Sequence, residues 1–91
     1  MNTLAEIKRV SESEVFVFGQ DHDTPEGHFT ATAKFMGIPT TYLLKGSEQD
    51  SDEIVGRIEL NNGLAYKGNG LKGGHYLGRI ESFSRSFHAM A

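Results

Sequence analysis

The stretch "HFTATAKF", residues 28–35, constrains this chain more than any other. Phe29, Ala31, Ala33 and Phe35 fall on one side of an extended chain, and His28, Thr30, Thr32 and Lys34 on the other. A period of two is the signature of a strand with one buried face, and a helix would scatter the same residues around its axis. Gly37 and Pro39 then predict a turn, and Thr41–Lys45 the next strand. Ile54–Leu60 reads as a further strand, Asn61-Asn62-Gly63 as a tight turn, and Leu64–Lys67 as the returning strand. Val15–Phe18, β-branched and aromatic and ended by Gly19, predicts a buried strand, and Tyr76–Glu81 predicts another.

Helical signals are few. Thr3-Leu4-Ala5-Glu6 has the spacing of a capping box, and Leu4, Ile7 and Val10 share one face, which predicts a helix over about Leu4–Glu12. A helix this short is marginal alone and must dock on something. The tail "SFSRSFHAMA" carries two periods at once. Ile80, Phe83, Phe87 and Met90 have helical spacing, whereas Phe83, Arg85 and Phe87 alternate. The tail is read as strand continuing from Tyr76. The expected fold class is therefore α+β: a twisted antiparallel β-sheet of about 5–6 strands with a short N-terminal helix packed on one face. Leu4, Ile7, Val10, Val15, Val17, Phe29, Phe35, Leu43, Ile58 and Ile80 are its expected core. With 91 residues, the chain is read as a single domain, 1–91, with a modest core.

Composition excludes some functions. The chain has no cysteine, so it has no disulfides, thiolate metal sites or cysteine nucleophile. No apolar run approaches the ~18 residues of a membrane helix, and no signal peptide is read at Met1, so a cytoplasmic setting is expected. Charge is uneven. Residues 1–53 hold ten acids against four bases, a net of -6, and residues 54–91 hold five bases against two acids, a net of +3. Such asymmetry suits contact with a polyanion on one side of the molecule, or an ordinary solvated surface. Gly56-Arg57-Ile58-Glu59 recurs as Gly78-Arg79-Ile80-Glu81. If those two strands pair, Arg57 meets Glu81 and Glu59 meets Arg79.

"YKGNGLKGGHYLGR", residues 66–79, holds five glycines and three basic residues. Gly68-Asn69-Gly70-Leu71-Lys72-Gly73 matches G-x-G-x-x-G literally. A dinucleotide fingerprint also requires a helix directly after the glycines and a further parallel strand. "HYLGR" has poor helix propensity and too little chain follows it, so the stretch is read as a hairpin loop or bulged turn. The residual functional reading is a surface of glycine amides and lysines that touches phosphate, flanked by Tyr66 and Tyr76 as stacking residues. The candidate binding residues are Lys67, Lys72, Arg79, Arg85, Tyr66 and Tyr76. The cluster Asp21, His22, Asp23, Glu26 and His28 offers metal-ligand types, but its spacing fits no EF-hand and no helical His pair, so no metal or cofactor is expected. No serine–histidine–acid set has a recognisable context, so no catalytic residue is assigned.

From "MNTLAEIKRV" through "GGHYLGRIESFSRSFHAMA" the chain resembles the small phage-encoded anti-CRISPR proteins, specifically inhibitors of type I RNA-guided surveillance complexes. The resemblance implies a non-enzymatic inhibitor in the host cytosol. Its partners would be multi-subunit Cas proteins with guide RNA, with RNA phosphate contacts and no membrane contact, and it would block target-DNA binding. Three other readings stand beside it: a stand-alone nucleic-acid-binding module, a metal-dependent enzyme using the Asp21–His28 cluster, and a homo-oligomer assembled through edge strands.

Overall fold

The structure is a computed structural model that describes residues 3–20, 24–68, 71, 73–80 and 83–90. It places α1 at Thr3–Val10, β1 at Phe16–Phe18, β2 at His28–Phe35, β3 at Ile38–Gly46, β4 at Ser51–Glu59, β5 at Leu64–Lys67, β6 at His75–Arg79 and α2 at Phe83–Met90. The six strands form one antiparallel sheet in the order β1-β2-β3-β4-β5-β6. The α+β class is as expected, with a helix on each face rather than on one.

Turn chemistry sets the middle of this order, because the β2–β3, β3–β4 and β4–β5 hairpins are closed locally. Phe35 pairs with Ile38, and both intervening residues have positive φ, Met36 at 52° and Gly37 at 79°. That is the backbone of a two-residue turn whose twist matches the flanking strands. Ser47 and Asp50 exchange backbone hydrogen bonds of 3.2 and 3.1 Å, so the acidic connector between β3 and β4 is a tight turn. Asn62 accepts a hydrogen bond from the Leu64 amide at 3.0 Å, and Gly63 takes φ 72°, as the Asn-Asn-Gly signal requires.

Both faces of the sheet are covered in part. On one face α1 brings Leu4 and Ile7 against Phe29, Ala31, Ala33, Tyr42, Leu44 and Ile54. On the other, Phe87 and Met90 of α2 pack on Leu43, Ile58 and Ala65. Leu43 and Leu44 are therefore both fully buried although they point to opposite faces. Burying a Leu or Ile side chain contributes about 1.5–3 kcal/mol, so the short helices are held by docking rather than by propensity. The N-terminus of α1 is tied to β4: the Leu4 amide donates to the Ser51 hydroxyl at 2.9 Å, and the Thr3 hydroxyl donates to the Ser51 carbonyl at 2.8 Å. Ser51 thus caps the Leu4 amide at the start of the helix, and the Glu6 side chain pairs with Arg9 at 3.0 Å.

Four expectations are corrected. The tail is helix α2, because the sheet needed apolar cover over Leu43 and Ile58 and the helical spacing of Phe87 and Met90 supplies it. β1 is not a buried strand. Only Val17 turns to the core, while Phe16 and Phe18 are 57% and 52% exposed, because β1 is an edge strand beyond the reach of α2. β4 and β6 do not pair, because the Asn-Asn-Gly turn inserts β5 between them; Glu59 lies opposite Leu64, and Leu64 opposite Arg79. Glu81 lies outside the described residues. Of the expected core, Leu4, Ile7, Phe29, Leu43 and Ile58 are buried and Val10, Val15, Val17, Phe35 and Ile80 half-buried; Tyr42, Leu44, Ile54, Phe87 and Met90, outside that expectation, are buried too.

Candidate docking surface

Register brings Tyr42, Arg57, Tyr66 and Tyr76 into one row across β3, β4, β5 and β6, on the face that carries α1. The Arg57 guanidinium carbon lies 4.1 Å from the centroid of the Tyr66 ring, and the Tyr66 and Tyr76 rings lie 5.6 Å apart at 55°. A cation over a ring face and a tilted ring pair are both attractive arrangements.

The glycine stretch is the β5–β6 loop, and strand β6, not a helix, follows it. The geometry of a dinucleotide fingerprint is therefore not met. Leu71 and Gly73 of this loop lie on the α1 face. Arg57 donates to the Gly73 carbonyl, and the Tyr42 hydroxyl donates to the Leu71 carbonyl at 3.3 Å. Leu71 packs against the cluster beneath. Gly74 has φ 114°, and a Cβ there would lie 2.7 Å from the Lys67 carbonyl, so the closing position admits only glycine. Arg57 is buried, with the Glu59 carboxylate 3.9 Å from it. Burial raises the pKa of the Tyr42 phenol; Arg57 opposes that shift and Glu59 adds to it. Arg57 and Tyr42 were absent from the sequence-based candidates. The sequence offers Arg57 only a cross-strand partner in Glu81, whereas its contact with Gly73 depends on a loop sixteen residues away.

The expected binding residues do not share one face. Tyr66 is half-buried beneath the Arg57 stack, whereas Tyr76 is 53% exposed on edge strand β6. Arg79, exposed, lies on the same face as the tyrosines, through its pairing with Leu64. Lys67, exposed, faces the α2 side, opposite Gly56 and His75. Arg85 is exposed on α2 itself. Lys72 lies outside the described residues. The β5–β6 edge thus carries candidate residues on both faces. Because strand order equals sequence order, the charge bias of the sequence becomes a bias in space. From Leu60 onward the sequence holds Lys67, Lys72, Arg79 and Arg85 against one acid, Glu81.

Of the metal-type cluster, Asp21, His22 and Asp23 lie outside the described residues. Glu26 is exposed, and His28 donates from Nδ1 to the Glu26 carbonyl at 2.9 Å. Among the described residues no three His, Asp or Glu side chains converge as metal ligands. Among the described residues no helix is long and apolar enough to cross a membrane. No family model matches the chain, and no curated protein or solved structure matches it.

Proposed function

We propose that the protein is a non-catalytic binding protein that docks on a Cas–guide-RNA surveillance complex and blocks target-DNA binding. The observation that supports docking is the exposed β5–β6 edge. There Lys67, Tyr76 and Arg79 stand at the end of the sheet, with Arg85 on the adjoining helix. An edge strand offers main-chain groups for pairing, and an excess of cations favours phosphates or an acidic protein surface. The identity of the partner rests on the resemblance of the whole chain to anti-CRISPR proteins. In this reading Lys67, Lys72, Arg79 and Arg85 supply charge, and Tyr76 supplies an exposed ring. Tyr66 acts from behind, holding Tyr76 in place.

The test is affinity for the purified complex. Lys67→Glu with Lys72→Glu is expected to weaken binding at least tenfold, about 1.4 kcal/mol, while circular dichroism stays unchanged. A folded double variant that binds as tightly as the parent contradicts the proposal.

A further inference from the structure

The α2 face of the sheet is only half covered. Phe87 and Met90 close it over Leu43, Ile58 and Ala65. On the β1–β2 side Phe16 and Phe18 stand exposed, registered with Thr32 and Thr30, of which Thr30 is buried. Two residues apart on one strand, the rings project side by side about 6.6 Å apart. Neither contributes to the core that Val17 joins from the same strand.

The charges on this face are also one-sided. Lys34 and Lys45 share it with Thr30 and Thr32, and Lys67 reaches it through its pairing with Gly56. Glu53, opposite Lys45, is the one carboxylate among the registered residues of this face. A groove of about 400 Å³ opens at the C-terminal end of α2, lined by His28, Lys45, Glu53, Lys67 and Met90 among others. Between Phe16 and the helix, the Thr32 and Thr41 hydroxyls lie 2.9 Å apart.

We propose that this face binds single-stranded RNA. Phe16 and Phe18 stack on two bases, and the chain then crosses into the groove, where Lys45 and Lys67 meet phosphates. Lys34 meets a phosphate at the other end of β2. Stacking on exposed rings tolerates any base, because every base has a π-face. Lys45 and Lys67 lie two strands apart, about 10 Å across the sheet, and Lys34 stands about 20 Å along the β2–β3 hairpin from Lys45; cations so spread suit the phosphates of an extended strand better than a single carboxylate. The threonine pair offers a donor and acceptors to a ribose 2′-hydroxyl, which deoxyribose lacks. The overall acidity of the chain does not oppose this, because binding responds to the local field of the face.

This goes beyond the docking reading, since it requires no Cas subunit. The test is fluorescence anisotropy of the full chain with a labelled oligouridylate dodecamer. Saturable binding is expected, with a log–log salt slope of about -2 for three phosphate contacts. Phe16→Ala with Phe18→Ala should weaken it at least tenfold with the fold intact, since both residues are more than half exposed and stand outside the core clusters. Lys34→Glu with Lys45→Glu should weaken it and flatten the slope. Four results would overturn the proposal: no binding at about 100 μM protein, no loss in the folded Phe16/Phe18 double variant, equal affinity for oligothymidylate, or tighter binding of a polyglutamate peptide. Failure here leaves the Cas-complex proposal standing, because that proposal is tested on the assembled complex.

Discussion

At the scale of single residues, Arg57 and Tyr42 link the glycine-rich loop to the sheet. Arg57 is buried, donates to the Gly73 carbonyl and sits over Tyr66. Replacing it with methionine keeps much of the volume but leaves the Glu59 carboxylate and that carbonyl without their cation. Arg57→Met should destabilise the fold by about 2–4 kcal/mol in urea unfolding. A loss below about 0.5 kcal/mol would show that the guanidinium is not a structural tie. Tyr42 gives a pH signature. Burial raises its folded pKa above the ordinary value near 10, so above that pH the unfolded state ionises first. Stability should therefore fall as pH rises through the interval between the unfolded and folded values, and should have no slope from this group below it. Comparing urea midpoints at neutral pH and above pH ~10, Tyr42→Phe should show a smaller alkaline decline than the parent protein. Neither residue was legible in the sequence. Arg57 sits in a stretch that reads as an ordinary amphipathic strand. Its burial follows from a loop closure that no local pattern encodes.

At the scale of elements, most strands were legible and the tail was not. The alternation of residues 28–35 places Phe29, Ala31 and Ala33 on the α1 face and Thr30 and Thr32 on the other. The Asn-Asn-Gly signal and Gly37 mark their hairpins from local chemistry, whereas Pro39, read with Gly37 as the turn, lies in β3 opposite Lys34. α2 was misread because Phe83–Met90 satisfies both periods, and only the demand for cover over Leu43 and Ile58 decides between them. At Gly56 the sheet comes against α2. A Cβ there would run into the Met90 side chain and lie 2.7 Å from the Tyr66 carbonyl. Gly56→Ala should therefore displace α2, at a cost of about 1–3 kcal/mol. Amide hydrogen exchange should show faster exchange in residues 85–90 and unchanged protection in β2 and β3. Equal protection of α2 in both proteins would contradict this packing account. The exposure of Phe16 and Phe18 was also missed, since a run of Val and Phe looks the same on an edge strand as in a core.

At the scale of the molecule, the meander turns a charge bias along the chain into one across the sheet. Glu12 and Glu14 ahead of β1, and the acids of the β1–β2 and β3–β4 connections, precede β5, β6 and α2, where Lys67, Arg79 and Arg85 are exposed. The sequence shows the bias itself but not its direction in space, which depends on strand order. The central claim is that this bipolar surface docks on a Cas–guide-RNA complex. The most direct measurement is co-purification of the tagged protein from bacteria that carry a CRISPR–Cas locus, with and without RNase, followed by mass spectrometry. The account predicts stoichiometric Cas subunits together with guide RNA. Recovery of the protein alone, from cells that demonstrably assemble the complex, would contradict it.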